Sequence, residues 1–87
     1  MSWEEASYVV ASKIRKLIVL RLDTPKTPTF LSKDLGINLA NISRALSELE
    51  QKGMVVCLTP EQRVGRIYSL SKKGIKVSNI LNDMEKS

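Results

Sequence analysis

Between Trp3 and Leu22 neither proline nor glycine interrupts the chain, and Ala6, Val9, Val10, Ile14, Leu17 and Ile18 recur at helical spacing. The pattern predicts one N-terminal helix over residues 3–22. Tyr8, Val19 and Leu20 widen its apolar stripe beyond one contact face, which points to two partners, its own core and a second subunit. "DTPKTP" then breaks the chain, because each proline pushes its predecessor out of helical geometry. Thr27 and Pro28 read as N-cap and first residue of a short helix with Phe30, Leu31 and Leu35 on one face. Gly36 ends that helix in the left-handed conformation, Ile37 pins the turn, and Asn38 caps a helix running to about Lys52.

Past Gly53 the period changes. "MVVCL" (Met54 to Leu58) is short and β-branched, and "RIYSL" (Arg66 to Leu70) alternates polar with apolar residues. The intervening "TPEQRVG" carries proline and glycine, so the two runs predict a hairpin with Arg63 and Arg66 at its tip. Ser71 caps a last helix whose Val77, Ile80, Leu81 and Met84 fall at i, i+3, i+4 and i+7. The expected organisation is one domain over residues 1–87: helix 3–22, helix-turn-helix 27–53, β-wing 54–70 and helix 71–86. That order, helix-helix-helix-strand-strand-helix, is mainly α with a small β-hairpin: a winged helix-turn-helix.

The helix over 38–52 separates into two faces when each residue is stepped by about 100° from Ile42. Ala45, Leu46 and Leu49 fall within about 60° of it and form the buried stripe, with Leu39 at its edge. Ala40, Ser43, Arg44, Ser47 and Gln51 lie opposite, flanked by Asn41. Small side chains on that face let a helix approach the floor of a major groove. There Arg44 can bind guanine and Asn41 adenine, each good pair worth about 1–3 kcal/mol of discrimination. Edge packing is favoured over thymine contact for Leu39. Ser32 stands where two packed helices approach most closely, a place in which alanine is commoner.

Charge sharpens this picture. The chain carries a net +5, and the excess is central: Lys26 to Lys76 holds nine basic residues against four acidic ones. A positive middle between near-neutral ends fits a polyanion partner. Arg63 and Arg66, around Val64-Gly65, suit a phosphate backbone or a minor groove. Lys33 offers a further phosphate contact. Lys72 and Lys73 do so too, sitting in a first helical turn where the macrodipole disfavours cations. One cysteine, Cys57, and no histidine exclude zinc sites of the thiolate or imidazole type and histidine-dependent catalytic triads. Cys57 reads as a small strand residue, and Trp3 and Met84 as packing residues. The scattered carboxylates suggest no enzyme and no cofactor. The longest early apolar run, "LIVL", is too short to span a membrane, so a cytoplasmic location is expected.

"GINLANISRALSELEQKGMV" followed by "CLTPEQRVGRIYSLSKKG" resembles the winged-helix transcriptional regulators, and among them the compact archaeal ones related to the MarR and ArsR groups. The likeness rests on Ile42 to Leu46, Glu48-Leu49, Lys52-Gly53 and the Tyr68-x-Leu70-x-x-x-Gly74 close, within residues 27–74. It implies a homodimer that pairs through its terminal helices and binds double-stranded DNA with recognition helix and wing. Two residues depart from the pattern: Leu39 stands where many relatives carry a polar DNA contact, and Lys72 where an acid is common. The expectation is sequence-specific duplex binding by a transcriptional regulator. Helix 38–52 would enter the major groove through Asn41, Ser43, Arg44 and Ser47. The wing, residues 59–66, would lie on flanking backbone or minor groove through Arg63 and Arg66. Two rival uses of the fold are a protein-interaction module of a larger complex and RNA binding.

Overall fold

The computed structural model describes residues 2–86. Its order is α1 (Ser2–Val10), α2 (Lys13–Arg21), α3 (Pro28–Leu35), α4 (Leu39–Gln51), β1 (Val55–Cys57), β2 (Tyr68–Leu70) and α5 (Lys72–Lys86). The fold is the expected winged helix-turn-helix, five helices with an antiparallel two-stranded hairpin.

The single helix expected over 3–22 is instead two, broken at Ala11-Ser12. No proline or glycine causes the break. Ser12 adopts an extended backbone and its hydroxyl accepts from Arg15 N at 3.3 Å, capping α2. The Arg15 guanidinium turns back to donate to the Tyr8 carbonyl, from Nε at 3.1 Å and Nη2 at 2.8 Å. One serine thus serves the first N–H groups of α2, while one arginine serves a carbonyl that the end of α1 leaves open. The break lets Ala6 and Val9 of α1, and Ile18 and Val19 of α2, reach one core from two directions.

The helix-turn-helix follows from local chemistry. Thr27 caps α3 by accepting from Phe30 N at 3.1 Å, with Pro28 in the first turn. Gly36 closes α3 at φ 67°, a backbone that costs glycine little and other residues more. Ser32 explains its own presence: its hydroxyl donates to the Ile37 carbonyl at 2.6 Å, and Ile37 N returns a bond to the Ser32 carbonyl at 3.1 Å. An alanine at this position would fill the same space without tying down the turn. Leu31, Ile42, Leu46 and Leu49 are fully buried between α3, α4 and the rest of the core.

The hairpin pairs Val55 with Leu70, Val56 with Ser69 and Cys57 with Tyr68. A third backbone segment joins it. Lys26 and Tyr68 exchange both N–H···O bonds, at 3.0 and 2.9 Å, so the linker before α3 is stitched to the wing. From the sequence this linker is expected only to break the chain. Ser71 closes the other end of the sheet. Its hydroxyl accepts from Gly74 N at 3.1 Å and donates to the Gly53 carbonyl at 2.5 Å, which caps α5 and ties it to the end of α4.

Four apolar residues expected to pack are exposed. Phe30 is half exposed, with the Lys26 ammonium 6.0 Å from its ring centroid, and Trp3 is largely exposed on α1. Leu39, expected at the edge of the core, is 45% exposed. Met84 is also about half exposed, whereas Val77 and Leu81 carry the buried face of α5.

Candidate nucleic-acid interface

α4 presents its polar face to the outside. Asn41, Ser43, Arg44 and Ser47 are all exposed, whereas Ile42, Ala45, Leu46 and Leu49 are buried. The division follows the angular separation in the sequence. The Asn38 carboxamide oxygen caps the helix by accepting from Ala40 N at 2.7 Å. No acidic residue occupies the first turn, so nothing there repels a phosphate.

Two clefts flank this face. Ser43 and Ser47 share one with Arg63 and Arg66 of the wing, floored by Leu46 and Tyr68 and closed by Pro28 at the start of α3. The wing therefore folds toward α4, and its two arginines stand beside the helix's hydroxyls. On the other flank Asn41 and Arg44 line a cleft with Ser12, Ile14 and Arg15 of the α1–α2 break. α4 is thus a ridge with polar side chains on its crest and a basic wing along one side.

The two wing arginines differ. Arg66 folds onto the loop, donating from Nε to the Gln62 carbonyl at 2.6 Å and from Nη2 to the Pro60 carbonyl at 3.4 Å. It shapes the loop while its charge remains exposed. Arg63 is exposed and makes no hydrogen bond or ion pair among the described residues. Gly65 between them adopts φ 72°, which lets the loop turn back on itself. The wing's first strand is continued by Leu58 N donating to the Ile67 carbonyl at 2.7 Å, and the Thr59 hydroxyl accepts from Ile67 N at 3.0 Å.

The remaining lysines do not gather here. Lys33 is exposed in the last turn of α3, next to the turn that delivers the start of α4. Lys72 and Lys73 lie at the opposite end of the hairpin from its arginine-bearing tip, where Val55 pairs with Leu70. Lys73 is already engaged. Its ammonium donates to the Lys52 carbonyl at 2.9 Å and stands 3.7 Å from the Glu5 carboxylate. Its placement breaks the dipole rule for α5 but satisfies it for α4, whose C-terminal carbonyls attract a cation. The rule-breaking that marked Lys73 as a phosphate ligand has a structural cause. Lys72 is exposed in the first turn of α5.

Arg15 is the residue that the sequence reading missed. Besides capping α1, it forms an ion pair with Glu48 of α4 at 3.3 Å and lies 4.0 Å from the Tyr8 ring centroid. Lys52 at the end of α4 lies 5.1 Å from the same centroid. Glu48, on the flank of α4, is thereby held against α2 by a charge of opposite sign. The signal in the sequence was faint: a Ser-x-x-Arg step within an uninterrupted helical pattern.

No protein-family model matches the chain, and no curated protein sequence matches it. Solved structures do. The reduced form of the transcriptional regulator YodB from B. subtilis matches with a TM-score of 0.77 and 29% identity, over 95% of this chain and 84% of that one. Reduced MarR from E. coli matches with a TM-score of 0.74 and 26% identity, over 97% of this chain and 64% of that one. Lactococcus lactis ZitR shares the fold at a TM-score of 0.77 and 17% identity, over 86% of this chain, which spans only 53% of the ZitR chain. The architecture is that of the MarR-type winged-helix transcriptional regulators. Among the described residues, no helix is long and apolar enough to cross a membrane.

Proposed function

We propose that this protein is a transcriptional regulator that binds double-stranded DNA in a sequence-specific manner. The observation that carries the reading is the shared cleft of Ser43 and Ser47 on α4 with Arg63 and Arg66 on the wing. A recognition helix needs its polar face free and a second element to hold the flanking backbone. Here both meet on one surface of a chain with a net charge of +5. Arg44 and Asn41 are the base-reading residues, Ser43 and Ser47 reach base edges or sugar, and Arg63 grips phosphate or enters the minor groove. Arg66 presents the loop and adds charge, and Lys33 supports the backbone contact near the start of α4. Lys72 and Lys73 are assigned to the scaffold end of the molecule. The resemblance to YodB and MarR, both winged-helix regulators of similar architecture, supports this reading.

The same protein is proposed to act as a homodimer. α1 and α5 pack on each other, and Trp3 and Val10 of α1 and Ile75 of α5 leave apolar surface exposed at 64%, 41% and 49%. Pairing two protomers there would present two recognition helices to two half-sites, as a two-fold operator requires. A monomer at micromolar concentration, measured by sedimentation, would contradict it.

Duplex binding by Arg44→Ala and Arg63→Ala tests the assignment of roles. Arg44→Ala should narrow the gap between preferred and random duplexes by about 1–3 kcal/mol. Arg63→Ala should weaken all duplexes to a similar degree, as loss of a phosphate contact does. Unchanged binding in both variants would refute the interface.

A further inference from the structure

The leading turn of α4 carries an unusual set of side chains for a helix that reads DNA. The N-terminal end of a groove-inserted recognition helix is the part whose side chains reach base edges. Here the Asn38 carboxamide oxygen is occupied in capping Ala40 N at 2.7 Å. The Ala40 side chain has no group for hydrogen bonding. Leu39 is 45% exposed and does not belong to the buried core or to the half-buried residues that back it. An apolar side chain of this size thus keeps nearly half of its surface open on the rim of a polar and basic face.

The major groove presents hydrogen-bond donors and acceptors at every base pair but only one apolar group, the thymine C5-methyl. We propose that Leu39, in the leading turn of α4, recognises a thymine methyl in the major groove and so is a specificity-determining residue. The inference rests on the DNA-binding reading above and assigns to that surface an apolar contact beside the polar ones of Asn41 and Arg44. Ala40 aids it, because its short side chain lets the helix start lie close to the groove floor. The buried stripe of Ile42, Leu46 and Leu49 is independent of Leu39, so the contact can be removed without opening the core.

The experiment perturbs the DNA and leaves the protein intact. Duplexes selected from a randomised pool by the wild-type protein are remade with deoxyuridine in place of thymidine, one position at a time. Uracil pairs as thymine does and lacks only the methyl. Wild-type protein should lose about fourfold in affinity at one position of each half-site, the preference that burial of one methyl-sized group supplies. Leu39→Ala, which keeps a strong helix former in the first turn, should bind the two forms equally at that position. Equal wild-type binding to thymine and uracil forms at every position would overturn the proposal while leaving the DNA-binding reading intact. So would an unchanged discrimination in Leu39→Ala. Failure of the wild-type protein to bind any duplex in a salt-dependent manner would overturn both.

Discussion

Removing Arg15 should cost far more than removing an average surface arginine. Its guanidinium donates twice to the Tyr8 carbonyl, lies 4.0 Å from the Tyr8 ring centroid and pairs with Glu48 on α4. The side chain is only 16% exposed. Arg15→Ala leaves the carbonyl at the end of α1 without its donor, a loss of about 1.5–3 kcal/mol for a hydrogen bond to a charged group. The ring contact adds about 0.5–1 kcal/mol. Glu48 is 40% exposed, so solvent screens the ion pair and its share is about 0–1 kcal/mol. A total near 3 kcal/mol is large against the roughly 4–13 kcal/mol expected for a domain of this length. At about 4–8 °C per kcal/mol, thermal unfolding followed by circular dichroism should shift down by roughly 12–24 °C. Arg15→Lys keeps the charge but cannot form the fork, so it should recover less than half of the loss. A loss in Arg15→Ala below about 0.5 kcal/mol, the range of neutral surface changes, would refute the role given to the α1–α2 break.

Other substitutions test the parts that position α4 and the wing. A Cβ on Gly74 would run into the Met54 carbonyl and crowd Leu70 Cδ2 at 3.1 Å. Gly74→Ala should therefore destabilise, since overpacking of about 1–3 kcal/mol exceeds a helix-propensity gain of about 1 kcal/mol. A higher melting temperature would contradict the packing of α5 on the hairpin. Ser32→Ala should lose about 1 kcal/mol in urea unfolding with an unchanged slope, because the hydroxyl bond to Ile37 disappears. The Lys26 ammonium bonded to Asp23 holds that carboxyl below its ordinary value, chiefly through the hydrogen bond and next through its charge. A depressed folded value means that the pair's contribution is present above the ordinary carboxylate range and is lost as pH falls through the folded value. An Asp23 titration midpoint by NMR at or above that ordinary value would contradict the contact.

The helix-turn-helix was legible because its boundaries are written in local chemistry. Thr27-Pro28, Gly36 and Asn38 each act within a few residues of where they stand, and the buried stripe of α4 follows from its period alone. The break between α1 and α2 was not legible, because it depends on Arg15 reaching a carbonyl a full turn and more behind it. The partners of Lys73 were hidden for a related reason. Its dipole penalty belongs to its own helix, but its compensation comes from Lys52 and Glu5, remote in sequence. The Lys26–Tyr68 bridge was hidden because a single backbone pairing leaves no alternating pattern to read. Phe30 and Leu39 fell on or beside apolar stripes, yet helical angle alone does not say where a neighbouring element stops covering a face. On the candidate site, the exposure of Asn41, Ser43, Arg44 and Ser47 follows from period. The placement of Ser43 and Ser47 beside the wing depends on tertiary packing.

The most direct test of the account is the salt dependence of duplex binding by the wild-type protein. Binding that releases counterions from B-DNA gives a slope of log affinity against log salt near −0.9 for each phosphate neutralised. With Lys33, Arg63 and Arg66 as the phosphate contacts, the account predicts a slope of about −3 for one protomer and about −5 for two. A slope near zero would contradict it.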